Sequence, residues 1–137
     1  MLSERQKAEI LFTNERFYAA FSGGDMTSMD SLWGSEGPVY CLHPGWEPLM
    51  ERNQIIASWN AVLQAPPPIV CAAPSILPLG EDGAAVICWE GIEEDYLIAT
   101  NLFRRESGMW KIVHHQAGPV HGTPPTSSRP PQNNRVN

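Results

Sequence analysis

Glu90, Asn101, His114 and Gln116 are the residues of this sequence whose types and spacing can do chemistry. A histidine and a carboxylate are the side chains that burial and neighbours bring most readily to a proton affinity near neutrality, and a primary amide beside them can hold a carbonyl or fix an imidazole tautomer. Such a set suits proton transfer to or from a small oxygen-bearing molecule, or simply holding it. Either role requires that the four side chains meet on one surface, so the reading depends on the elements that carry them.

Asn101 to Gln116 reads as two strands folded about Ser107-Gly108, a pair that takes positive φ easily and is flanked by β-branched, aromatic and aliphatic residues. With Glu106 opposite Met109, the ladder pairs Arg105 with Trp110, Phe103 with Ile112, Asn101 with His114 and Ala99 with Gln116. Successive strand residues face opposite ways, so the other face holds Ile98, Thr100, Leu102, Val113, His115 and Ala117. Asn101, His114 and Gln116 side by side inside a sheet are costly unless paired, wet or holding a ligand, and this face is expected to floor a pocket. Only one histidine of the adjacent pair can enter, which excludes a chelate from the two, and His115 is expected on the outer face. The competing role for His114 is a buried histidine satisfied by Asn101. Glu90 ends the run Val86 to Glu90. With Glu93-Glu94 as the loop it pairs with Leu97 and joins the same face, where desolvation would raise its pKa toward that of a general base; a slip of one residue would leave it a solvated carboxylate.

The rest of the chain supplies walls. Ser3-Glu4-Arg5-Gln6 has the capping-box pattern, and Ile10, Phe17, Ala20 and Phe21 recur at helical spacing up to Gly23-Gly24. Asp25 caps a short second helix with Met29, Leu32 and Trp33 on its apolar side. Val39 to Leu42 is a short strand bounded by Gly37-Pro38 and Pro44-Gly45; Tyr40 lies in it, and His43 and Trp46 at its end are expected to rim the pocket. A third helix from about Glu51 to Gln64 carries Ile55, Ile56, Trp59, Val62 and Leu63, and Pro66-Pro67-Pro68 ends it. Trp59 can serve as core or as pocket wall. Strands follow from Ile69 to Leu79, Ala84 to Ile92, Tyr96 to Arg105 and Met109 to Ala117; connections this short make them antiparallel neighbours, and Pro74 and Pro78 put the first at an edge or a bulge. The expected fold is α+β, a cone in which N-terminal helices pack on a strongly curved antiparallel sheet. One domain over residues 1–120 is expected, followed by a Pro-rich tail over 121–137 that has little to bury and is expected to be disordered.

Composition narrows the functions. Of 137 residues 42% are hydrophobic and 18% charged, and the net charge is −6, which argues against nucleic acid as a partner. No run approaches a membrane span and no apolar leader opens the chain, so a cytoplasmic protein off the membrane is expected. Cys41, Cys71 and Cys88 sit in apolar runs without Cys-x-x-Cys spacing and read as buried thiols. A metal would need His43, His114 and a carboxylate to converge without any spacing motif, and no phosphate loop or dinucleotide fingerprint is present; neither metal nor cofactor is expected.

Arg16-Phe17-Tyr18-Ala19-Ala20-Phe21 with Gly24-Asp25-Met26, His43-Pro44-Gly45-Trp46, Ile55-Ile56-Ala57-Ser58-Trp59, and the segment from Ala99 through Trp110 to Pro119 resemble, in that order, the nuclear transport factor 2-like superfamily and its SnoaL-like branch. The resemblance covers roughly Glu9 to Val120. It implies a cone open at one end to a pocket, usually dimerising through the sheet, in a fold that hosts ketosteroid isomerases, polyketide cyclases and dehydratases. The hairpin is also similar to that of kinase association domains, where a polar residue at the Asn101 position lines the pocket. No aspartate matches the general base that isomerases and cyclases of this fold place inside the cone, and relatives often carry His at the position of Gln116. Two functions are therefore expected: a small-molecule-binding domain, lined by Asn101, Gln116, Trp46, Tyr40, His43 and Trp59, or an isomerase, cyclase or dehydratase using His114 and Glu90 on an apolar oxygenated substrate. A homodimer is expected because Trp89, Ile98, Leu102 and Val113 would otherwise expose an apolar face.

Overall fold

The computed structural model describes residues 1–125. Helix α1 spans Glu4–Gly23, and its start follows from the capping box: Ser3 accepts from the Gln6 amide while the Gln6 side chain accepts from the Ser3 amide. Gly24, at φ 65°, ends it in the left-handed conformation that suits glycine. Asp25 caps α2 (Met26–Leu32) by accepting from the Ser28 amide. Strand β1 (Tyr40–Leu42), helix α3 (Arg52–Val62) and strands β2 (Ile69–Pro78), β3 (Gly83–Ile92), β4 (Asp95–Glu106) and β5 (Met109–Pro119) complete the order.

The sheet runs β1-β5-β4-β3-β2. Its last four strands are the antiparallel meander that the short connections require, whereas β1 joins parallel to β5, pairing Tyr40 with His114, Cys41 with His115 and Leu42 with Gln116. A parallel pair needs a long crossover, here everything from α3 to β4, and hairpin spacing gives no sign of it. Strand β2 is an edge and also bulged: the register shifts between Ala72 and Ser75, next to Pro74, with Ala73 at φ 51°.

α1 packs on β2, β3 and β5 together. In a flat sheet β5 and β2 would stand roughly 14 Å apart at ~4.8 Å per strand, wider than the ~10 Å body of one helix, so the sheet curls around α1. The core fills that hollow. Phe17 packs edge-on against Tyr18, Phe21 and Trp59 with centroids 4.9, 6.0 and 5.4 Å away, and Ile10, Phe17, Ile55, Trp59 and Ile112 are fully buried. Each such side chain contributes roughly 1.5–3 kcal/mol by leaving water. No helix among the described residues is long and apolar enough to cross a membrane. Of the tail expected over 121–137, residues 126–137 lie outside the described residues.

Candidate functional site

The β4–β5 hairpin turns at Ser107 (φ 50°) and Gly108 (φ 79°), and its first pairs are Glu106–Met109, Arg105–Trp110 and Phe103–Ile112. Beyond them the expected register fails. Leu102 pairs with His114 and Asn101 with His115, so Val113 is an extra residue in β5 with no partner opposite. A bulge of one residue sends every following side chain to the other face. His115 and Ala117 therefore face the core, while His114 and Gln116 lie on the outer face, His114 with its ring edge-on to Tyr40 at 6.2 Å. The bulge sits where the chain leaves α2: the Gly34 amide donates to Ile112 O at 2.9 Å, and a Cβ on Gly34 would come 3.0 Å from Val113 Cγ1 and 2.5 Å from Glu106 Oε2.

Glu90 pairs with Leu97 and faces inward, 2% exposed. Asn101 and His115 are 0% and 1% exposed, and α1 contributes Asn14 and Tyr18 one turn apart. These five side chains form one directional network. Asn101 Nδ2 donates to Asn14 Oδ1 at 2.9 Å and to Tyr18 Oη at 3.1 Å, leaving Asn101 Oδ1 to accept from His115 Nδ1 at 2.7 Å. Asn14 donates one of its own two amide hydrogens to Cys71 Sγ. Tyr18 Oη, already accepting from Asn101 and from the Cys88 thiol at 3.3 Å, donates to Glu90 Oε2 at 2.6 Å. The chain of donors fixes His115 as the Nδ1–H tautomer when neutral, with the Nε2 lone pair 3.9 Å from Glu90 Oε2.

Burial dominates the proton affinities. Desolvation pushes Glu90 up to about 7, and the Tyr18 hydrogen bond, which favours the carboxylate, offsets only part of that. Desolvation pushes His115 down to about 3, with the nearby His43 and His114 adding to the effect, and pushes His43 down to about 4. Tyr18 is held well above the ordinary phenol value by burial and then by the Glu90 charge. Near neutrality the His43 and His115 imidazoles are therefore uncharged, and of these three groups Glu90 is the one pushed into the range where it exchanges its proton.

Glu90, His115 and His43 are the polar lining of a recess of about 360 Å³, with Phe21, Trp46, Val62, Ile69, Ile92 and Leu97 among its apolar walls. His43 Nε2 lies 2.9 Å from Ser58 Oγ, whose single proton goes to Ile55 O at 2.7 Å, and 3.6 Å from Cys41 Sγ; with the Ser58 proton committed, Nε2 carries the hydrogen of the shorter contact and both neighbours accept from it. Trp46, half-exposed, leans on the His43 ring at 4.6 Å, and Trp59 backs the same ring at 4.8 Å from full burial.

The structure thus brings Glu90, His43 and Trp46 to one recess, with Asn101 and Trp59 in the layer behind. His114, Gln116 and Tyr40 are not part of it; Tyr40 is exposed on the far side of the sheet. Sequence reasoning missed His115, Tyr18, Asn14 and Ser58. Asn14 had a visible signal: it lies four residues after Ile10 and four before Tyr18, a polar residue on the helix face otherwise destined for the core.

The SnoaL-like domain family matches residues 10–120. The chain belongs to that family. A comparison with curated proteins finds none that matches. Among solved structures, a candidate dehydratase of the nuclear transport factor 2-like family from Streptomyces avermitilis is similar at 28% identity with a TM-score of 0.75, over 84% of this chain and 96% of that one. A candidate calcium/calmodulin-dependent protein kinase type II association domain from Thiobacillus denitrificans is similar at 27% identity and a TM-score of 0.70, covering 80% and 93%. A protein of unknown function with a cystatin-like fold from Nostoc punctiforme shares 17% identity at a TM-score of 0.71, covering 90% and 97%, a likeness of fold alone. This SnoaL-like chain therefore has the α+β cystatin-like architecture of the nuclear transport factor 2-like superfamily.

Proposed function

We propose that the recess binds an apolar, oxygen-bearing small molecule and that Glu90 moves a proton on it, in an isomerisation, cyclisation or dehydration. One observation carries this reading: a buried carboxyl that ionises near 7 lines the recess, with Oε2 held by Tyr18 and His115 Nε2 3.9 Å away. A base is most useful when its proton affinity lies near the working pH, because it is then both available and strong enough to act. Ionised Glu90 takes a proton from carbon beside a carbonyl. Returning it to another carbon is isomerisation, and expelling a neighbouring hydroxyl is dehydration, the class named for the Streptomyces avermitilis relative. Tyr18 holds the carboxylate in place, and His115 next to it stays uncharged and adds no competing charge to the recess.

The test is a panel of hydroxyl-bearing cyclic ketones, β-hydroxyketones among them, followed by enone absorbance and by deuterium exchange from the solvent. Turnover or exchange by the unaltered protein, lost in Glu90→Gln, supports the reading; equal rates in both sink it. Binding without turnover is the second reading, favoured by the two imidazoles, which burial keeps uncharged and which Ser58 and Asn101 hold in fixed orientation. It predicts ligand uptake without any exchange.

The outer sheet face supports self-association as a homodimer. Ile87 and Tyr40 are exposed there, and Trp89, Ile98 and Leu102 are only partly covered.

A further inference from the structure

We infer that the recess selects uncharged ligands that bring a hydroxyl hydrogen, alcohols or phenols, and rejects both their ethers and anions. The inference rests on the recess being a ligand site and goes beyond it, to the chemical class of the ligand. It follows from where the hydrogens are. His115 Nδ1–H is committed to Asn101 Oδ1, because both hydrogens of Asn101 Nδ2 are committed to Asn14 and Tyr18. His43 Nε2–H is committed to Ser58, because the Ser58 proton is committed to Ile55 O. A neutral imidazole with one nitrogen protonated offers the other as an acceptor only. His115 Nε2 and His43 Nδ1 are thus lone pairs, and among the described residues neither has a hydrogen-bond donor within reach.

Glu90 completes the set. Its Oε2 accepts from Tyr18, so when the carboxyl is protonated the hydrogen sits on Oε1, the single donor beside two acceptors. A hydroxyl group matches this arrangement, since it donates to an imidazole lone pair and its oxygen accepts from Glu90. An ether accepts from Glu90 but leaves the buried lone pair unpaired, which removes a charge-free hydrogen bond in a desolvated site. An anion fares worse. No Lys or Arg lines the recess among the described residues, and the one group there able to carry a full charge at neutral pH is the Glu90 carboxylate, of the wrong sign. Charge in such a site without a partner is strongly disfavoured.

The experiment uses three probes of one shape, 5-indanol, 5-methoxyindane and indane-5-carboxylate, titrated against the unaltered full chain at pH 6 by calorimetry. At that pH Glu90 is mostly protonated and both imidazoles are neutral. The expected result is a Kd for 5-indanol about ten-fold or more below that of 5-methoxyindane, with the carboxylate weakest. In His115→Phe the preference for indanol over its ether should shrink several-fold. The ether or the carboxylate binding as tightly as indanol overturns the inference, and so does the absence of binding by all three. Both results are read from the unaltered protein, so they stand even where His115→Phe does not fold. Failure of the catalytic reading shows differently, as turnover that survives Glu90→Gln with the indanol preference intact.

Discussion

Replacing Glu90 by Gln should change how stability depends on pH, and by an amount that the structure sets. The folded carboxyl ionises near 7 against an ordinary value of 4.5, with burial as the main cause. At 1.36 kcal/mol for each tenfold change in proton affinity this corresponds to about 3 kcal/mol. The folded form binds the proton more tightly than the unfolded form, so Glu90's contribution is intact below about pH 4.5, declines as pH rises, and is lost above about 7. His43 and His115 slope the other way. Their folded affinities are depressed, so their contribution is complete above 6.5 and is lost as pH falls toward 4 and 3. The unaltered protein shows the sum, and the difference from Glu90→Gln isolates the carboxyl. Urea unfolding at pH 5, 6, 7 and 8 should show Glu90→Gln gaining on the unaltered protein by about 2.5 kcal/mol from the lowest pH to the highest, most of the full difference. Two parallel curves would refute the argument, because they would mean that the carboxyl ionises alike in the folded and unfolded chains.

Asn101→Leu removes the donor to Asn14 and Tyr18 and the acceptor of His115, and should cost about 2 kcal/mol or more in urea unfolding, since each buried polar group left unpaired costs roughly 1–3 kcal/mol; a cost below about 0.5 kcal/mol would mean the network is not formed. Gly108→Ala meets no neighbour within 4 Å but must hold φ 79°, so it should cost about 1 kcal/mol, whereas Gly118→Ala, with the same open space and no positive φ, should be close to neutral. Light scattering should give twice the chain mass, and Leu102→Glu on the outer face should return the single-chain mass; a monomer at the outset would remove the case for that interface.

The helices, the meander and the Ser107-Gly108 turn were legible because each has a local cause: a cap, a period of apolar residues, a glycine where φ is positive. The floor of the recess was half legible. Glu90 faces inward as the short Glu93-Glu94 turn requires, and Asn101 faces inward as well. The wrong histidine followed from a bulge at Val113, whose cause is not local to the hairpin. It lies where Gly34, 79 residues earlier, docks its amide on Ile112 O. No glycine or proline marks the bulge in β5, so an unbroken ladder was the simplest reading, and it carried His114 and Gln116 inward in place of His115. The role of Tyr18 was hidden for a related reason. Helical spacing shows that a tyrosine is buried, and only the sheet's curl around α1 shows that its hydroxyl meets Glu90.

The proposed chemistry requires Glu90 to exchange its proton near neutrality inside the recess. Its most direct test is the ¹³C shift of the Glu90 side-chain carboxyl in protein labelled at glutamate, assigned by its absence in Glu90→Gln and followed from pH 4 to 9. A midpoint near 7 is predicted, against 4.5 for an ordinary glutamate. A midpoint at or below 4.5 would show a carboxylate already ionised at every relevant pH, and the proton-transfer account would fall with it.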